Sequence, residues 1–126
     1  MNIIGWVYKT LVADSALVAA LGSSDQILRE YPDLIDATPI VSFSEANNRD
    51  GTFYDNQPIS ADEAVDIHVF TDFGTPTSTI ADLVSNTMRG ILFTRDYQAD
   101  MDDPSQKIRH KVMKFSRDNI VAGNLQ

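Results

Sequence analysis

The stretch Ala64-Val-Asp-Ile-His-Val-Phe-Thr-Asp72, running on through Phe73-Gly-Thr-Pro-Thr-Ser-Thr-Ile80 to Leu92, decides the fold. Val65, Ile67 and Val69 alternate with Asp66 and His68, the period of two expected of a strand buried on one face. Gly74 and Thr75 break that period, with Thr75 placed to cap a helix and Pro76 suited to its first turn. Ile80, Leu83, Val84, Met88, Ile91 and Leu92 then recur at spacings of three and four, which makes one apolar stripe. A helix of this length is marginal alone in water, so its stripe must be buried on a sheet. The strand just before it is the first partner.

Upstream, Ile3, Ile4, Val7, Tyr8 and Leu11 predict a short amphipathic helix from residue 2 or 3 to Ala13. Asp14 can cap a second helical turn or two, with Leu17, Val18 and Leu21 apolar and Gly22 as the stop. Ile27 to Tyr31 reads as a short strand, Pro32 to Thr38 as irregular chain, and Pro39-Ile-Val-Ser-Phe-Ser44 as a strand with Val41 and Phe43 on one face. Glu45 to Asp62 is polar and holds Asn47, Asn48, Asp50-Gly51 and Pro58, which predicts a flexible loop over 45–62. Its Phe53 and Tyr54 leave two readings open, a disordered hairpin tip or an arm that contacts a partner. Asp96 to Gln106 reads as a second, acidic loop. Lys107 to Arg117 reads as the last strand, with Ile108 and Val112 on one face and Met113 and Phe115 on the other, a change of parity that predicts a bulge near Val112. Residues 118–126 read as a loose tail.

The expected order is helix, strand, strand, strand, helix, strand. That is an α+β fold, a single domain over 1–126 with about four strands in a mostly antiparallel or mixed sheet and the helices packed on one face. The other face is expected to be wet. Asp66, His68 and Asp72 would point there, with Arg109 and Lys111 across from them.

Composition narrows the function. At 126 residues, 43% apolar and 22% charged, the chain suits one globular domain. It has no cysteine, which rules out disulfides, thiolate zinc sites and cysteine nucleophiles. Lys9 and Asp14 interrupt the apolar N-terminus, so neither a signal peptide nor a membrane span is expected, and a soluble intracellular product is. The net charge of −8 argues against sequence-specific or general nucleic-acid binding. That charge is lopsided: residues 1–106 hold five basic and seventeen acidic side chains, residues 107–126 five basic and one acidic. The basic end is either a solvated strand or a surface that meets the acidic surface of another copy or another protein.

Chemistry is scarce. Asp96, Asp100, Asp102 and Asp103 lack the spacing and glycine of a calcium loop, and Pro104 intrudes. His68 and His110 each stand alone on a strand and are expected at the surface, with no further ligand or nucleophile in a motif. No phosphate-binding, dinucleotide or nucleophile-elbow pattern occurs. No catalytic residue, cofactor or metal site is therefore expected, and the chain is read as non-enzymatic.

An N-terminal helix ending Leu11-Val-Ala-Asp14 with Leu17 and Leu21, a strand opening Pro39-Ile-Val41, Val65-Asp-Ile-His-Val-Phe70 feeding a helix with Ile80, Val84, Met88 and Leu92, and a basic strand ending Met113-Lys-Phe-Ser-Arg117 form a recognisable series. It resembles the tail-completion, or head-to-tail joining, proteins of long-tailed bacteriophages and prophages, over about residues 3–117. The resemblance implies a tail terminator: a homo-oligomeric ring, usually of six copies, that caps the tail tube, meets the tube protein on one side and the head connector on the other, and belongs to a virion assembled in the bacterial cytoplasm. The family has no catalytic residues to carry over. The contact residues expected from chemistry and exposure are Arg49, Phe53 and Tyr54 in the 45–62 segment, Asp66 and His68 on the wet face, and Arg109, Lys111 and Lys114 on the basic strand. Reversing Arg109 and Lys111 to glutamate is expected to weaken assembly and spare the fold. Two alternatives stand beside this reading. One is another phage morphogenesis part, such as a tail tube or head-side connector protein, which a long ordered hairpin between Ser44 and Asp62 would favour. The other is a small adaptor domain, which a deep apolar pocket would favour.

Overall fold

The N-terminal apolar run folds as two helices because Asp14 interrupts it. In the computed structural model, which describes residues 3–29, 38–47, 50–54 and 57–118, α1 spans Ile3–Val12 and α2 spans Ser15–Leu21. Asp14 Oδ1 accepts the amides of Ala16 at 3.0 Å and Leu17 at 3.2 Å, satisfying donors that the first turn of α2 leaves free. Gly22 closes α2 in the left-handed region at φ 91°, its amide donating to the Val18 carbonyl. The two helices meet at 81°, and no single described helix is long and apolar enough to cross a membrane.

The strands are β1 (Ile27–Leu28), β2 (Ile40–Asn47), β3 (Asp50–Tyr54), β4 (Gln57–Asp72), β5 (Thr94–Asp100) and β6 (Ile108–Asp118), with α3 (Ser78–Gly90) between β4 and β5. Five stand in the order β1-β2-β4-β6-β5, and β3 pairs with the start of β4 off that path. β1 runs parallel to β2 and every other pairing is antiparallel, so the sheet is mixed. The fold is α+β, with one or two strands more than expected.

All three helices contribute to one core on one sheet face. Val7 and Leu11 of α1, Leu17 of α2, and Val84 and Met88 of α3 are fully buried in a cluster with Val41, Phe43, Val65, Ile67, Val69, Met113 and Phe115. Each such side chain stabilises the fold by about 1.5–3 kcal/mol relative to exposure. Thr87 Oγ1 donates to Asp14 Oδ2, joining α3 to the cap of α2, and this hydrogen bond is the main cause that holds the Asp14 carboxyl below the usual carboxylate range.

Several expectations are corrected. The capping residue of α3 is Thr77, not Thr75, and Thr77 makes no side-chain cap; the Thr75 carbonyl instead accepts Thr71 Oγ1 at 2.6 Å. The helix stops at Gly90, and Ile91 and Leu92 form the turn that follows. Leu92 takes φ 73° and is exposed, while Phe93 turns in to the core. The strand expected over 27–31 is described only at Ile27–Leu28; Glu30 to Ala37 lie outside the described residues.

The segment 45–62, expected to be a loop, carries strand at 45–47, 50–54 and 57–62. Tyr54 pairs with Gln57, so β3 and β4 form a tight hairpin. β4 is sixteen residues long, about 50 Å at some 3.3 Å per residue. Gln57–Ala61 pairs with β3, whereas β6 joins β4 only from Asp62 and β2 only from Ala64. The hairpin is thus an arm reaching past the body of the sheet.

The expected acidic loop after Asp96 is likewise strand as far as Asp100; Met101 and Asp103 still bond to His110 and Ile108, and the turn covers 104–107. No bulge lies near Val112: the β4–β6 register runs unbroken from Asp62 and Asp118 to Asp72 and Ile108. The irregularity falls on the other side of β6, between Arg95 and Tyr97, where Asp96 is the extra residue. The parity change in β6 has another cause, burial on both sheet faces. Of the expected loose tail, Asp118 is in β6 and 119–126 lie outside the described residues.

Candidate interaction surface

Strand alternation sorts the expected contact residues onto two faces. Along 64–72 of β4, odd positions face the helices and even positions face away. The register pairs Asp66 with Lys114, His68 with Val112, Phe70 with His110, and on the opposite face Val69 with Lys111 and Thr71 with Arg109. Asp66, His68 and Lys114 therefore share the far face, as expected, but Arg109 and Lys111 do not. They lie on the helix side, beyond the start of α3.

The far face is not simply wet. Phe70 is fully buried, in a second cluster with Ile40 and Ile108 against which Leu28 packs. His110 is 8% exposed, stacked on Phe70 with ring centres 4.3 Å apart. The histidines, expected to be solitary and superficial, form a pair: His68 Nδ1 and His110 Nε2 are 2.9 Å apart, so one neutral ring donates to the other. They lie 42 positions apart, and neighbouring places in the β4–β6 register bring them together. Burial pushes both imidazoles below the ordinary histidine range. For His110 the repulsion of His68 adds to burial, Asp102 opposes it, and the result is about 4. Asp66 goes the other way, raised by burial with Lys114 partly offsetting the shift.

At the start of α3 a cleft of about 360 Å³ is lined by Phe73, Pro76, Thr77, Asp100, Asp102, Arg109 and Lys111. Lys111 Nζ is 2.9 Å from Asp100, and its side chain is only 12% exposed. Arg109 lies over the Phe73 ring, donates to the Phe73 carbonyl at 3.1 Å and stands 3.9 Å from Asp102. These are not loose surface cations. Reversing both would set glutamates beside two aspartates, so the expectation that the fold would be indifferent is corrected. Of the arm residues, Phe53 and Tyr54 are on β3 opposite Pro58 and Gln57, and Arg49 lies outside the described residues.

Sequence reasoning missed the other end of α3. There Arg117 is buried at 7% exposure, its guanidinium 4.1 Å from the centre of the Trp6 ring and its Nη1 donating to the Ile91 carbonyl. Beside it a cleft of about 250 Å³ is lined by Ser85, Arg89, Phe93, Thr94, Arg95 and Phe115. Arg95 donates to Ser85 Oγ at 3.2 Å and Arg89 to Asn86 Oδ1, and among the described residues neither meets a carboxylate. The signal available in the sequence was that Arg89 and Arg95 flank the helix stop at Gly90, and they are two of only five basic residues before position 107.

No family model matches the chain, and no curated protein matches it. Among solved structures, a chain from the virion of a native gene transfer agent particle has a similar fold, with a TM-score of 0.61 and 17% identity. The similarity covers 94% of this chain and 98% of that one. The fold is thus shared along nearly the whole of both.

Proposed function

We propose that this chain is a structural protein of a long-tailed phage or prophage virion, acting as a ring that caps the tail tube and joins it to the head. The observation that carries the reading is the near end-to-end fold likeness to a virion chain. It agrees with the resemblance drawn from the order of apolar positions in the sequence. The lopsided charge suits a ring in which each copy offers its neighbour a surface unlike the one it receives. In this reading the β2–β3–β4 arm, with Phe53 and Tyr54, and the Asp66, His68 and Lys114 face supply contacts to neighbours, tube or head. The two clefts are rimmed by charged side chains, which does not favour an adaptor with an apolar pocket.

The β3–β4 hairpin supports a second reading, a tail tube protein, because tubes are built by joining sheets across subunits. Electron microscopy of the parent phage with a stop codon at Trp6 separates the two. Filled heads apart from tails of irregular or excessive length are the result expected for a terminal ring. Heads without tails would mean a tube, and intact virions would overturn both.

A further inference from the structure

The turn that ends α3 sets two arginines on one cleft. The Met88 carbonyl accepts the amides of Ile91 and Phe93, and the Arg89 carbonyl accepts that of Leu92, so the negative pole of the helix is already satisfied there. Phe93 then turns into the core and β5 begins, which brings Arg95 back beside Arg89 on the cleft of about 250 Å³. A guanidinium carries five N–H donors, and among the described residues each of these two uses only Nη on a neutral side chain: Arg95 Nη1 donates to Ser85 Oγ at 3.2 Å and Arg89 Nη2 to Asn86 Oδ1. No carboxylate of the described residues lines the cleft or pairs with either arginine. Two positive charges without a counter-charge therefore face one concavity, in a chain of net charge −8.

A third donor is buried beneath them. Ser85 is only 5% exposed, and its hydroxyl donates to Met113 Sδ at 3.8 Å while its oxygen accepts Arg95. A thioether is a weak acceptor, so this proton is free to turn to a stronger one. Phe93 and Phe115, both buried, line the same cleft, and apolar backing of this kind strengthens charge interactions at its mouth.

Charge and donor number select the ligand. A carboxylate offers two oxygens and one negative charge, which a single guanidinium fork can satisfy, whereas a phosphate group offers at least three acceptor oxygens and about two negative charges near neutral pH. Two guanidinium groups and a hydroxyl match the second. We infer that the Arg89–Arg95 cleft is a binding site for a phosphate group, held by both guanidinium groups and by the Ser85 hydroxyl. The group is either the free ion or the head of an organic phosphate monoester, whose body would lie over exposed Thr94 at the edge of the cleft.

Calorimetric titration of the full chain with inorganic phosphate, at an ionic strength held constant with sodium chloride, tests the site. One saturable event is expected. In NMR spectra of the unaltered protein, the amide signals of Ser85, Arg89 and Arg95 should shift together over the same phosphate range, a measurement that needs no substitution to fold. Arg89→Ala or Arg95→Ala should weaken binding by about tenfold or more, Ser85→Ala by about three- to tenfold, and R89A/R95A should abolish it with the circular dichroism unchanged. Phenyl phosphate binding about tenfold more tightly than phosphate would identify an organic monoester, and equal affinity the free ion; both outcomes uphold the site. Absence of saturable binding, binding that survives R89A/R95A, signal shifts confined to other parts of the molecule, or acetate bound as tightly as phosphate would each overturn the proposal. Unchanged affinity in Ser85→Ala would overturn the part given to the hydroxyl.

Discussion

Strands β4 and β5 both pair with β6, yet β4 buries Val65, Ile67 and Val69 completely, whereas β5 leaves six of its seven side chains exposed. One strand is held by what its side chains bury. The other is held by backbone hydrogen bonds to β6 and by the Phe93 anchor just before it. Burial leaves an alternating pattern in the sequence, and pairing alone leaves none. The core carries the fold, and in the assembly proposed above the arm and the Asp66, His68 and Lys114 face supply the surface that meets neighbours.

The largest effect that tests this contrast comes from the buried side. Ile67→Ala removes a fully buried β4 side chain facing Met113 across the register, and should cost about 2–5 kcal/mol in urea unfolding. A loss below about 1 kcal/mol would mean that burial is not what holds β4.

The far face of the same strand gives the next effect. His68 and His110 have folded pKa values below the unfolded value of about 6.5, so the unfolded chain binds more protons in the interval between them. Their contribution is complete above about pH 6.5 and is lost as pH falls toward 4. Unfolding free energy should drop by about 2–3 kcal/mol between pH 7.5 and 4.5, most of it from His110. His110→Asn should flatten that slope. An equally steep slope in the variant would assign the proton uptake to other groups.

How much of this was legible follows from the same contrast. The first helix, and the Asp14 cap and Gly22 stop that bound the second, were readable because capping is local chemistry, although a turn or two was expected there where a seven-residue helix stands. The body of β4 and the stripe of α3 were readable because each buries one face. β5 and the arm were not, since their residues are polar and turn-prone and become strand only by pairing with distant chain. The site suffered more. Placing Arg109 and Lys111 needed the β6 register, and a parity change that looked like a bulge was burial on two faces. Pairing His68 with His110, and setting Arg89 beside Arg95 across a helix end, required the tertiary fold.

Between core and edge stands Asp14, exposed enough to be polar yet joined to two helices. Asp14→Ala removes the oxygen that accepts the Ala16 and Leu17 amides of α2 and the oxygen that accepts Thr87 Oγ1 of α3, and should cost about 1–2 kcal/mol. Because hydrogen bonding depresses its folded pKa, that contribution is complete well above pH 3.8 and disappears as pH falls through the lower, folded value. Variant and parent should therefore converge in stability at acid pH, below the usual carboxylate range. A gap that stays constant with pH would point to lost packing, with no part played by the carboxylate.

The smallest effect belongs to β5. Tyr97 is 58% exposed, and what holds its segment is the backbone ladder in which Tyr97 stands opposite Lys114 and Gln98 opposite Met113. Replacing the ring by serine leaves that ladder in place, so Tyr97→Ser should change the urea midpoint by no more than about 0.5 kcal/mol equivalent. Amide hydrogen exchange supplies the sharper reading. If pairing holds the edge, β5 amides bonded to β6 should keep their protection in Tyr97→Ser and lose it in Phe93→Ala, which removes the buried anchor at the start of the strand. Loss of protection in Tyr97→Ser would show that β5, like β4, depends on its side chains, and the distinction between the two neighbours of β6 would not hold.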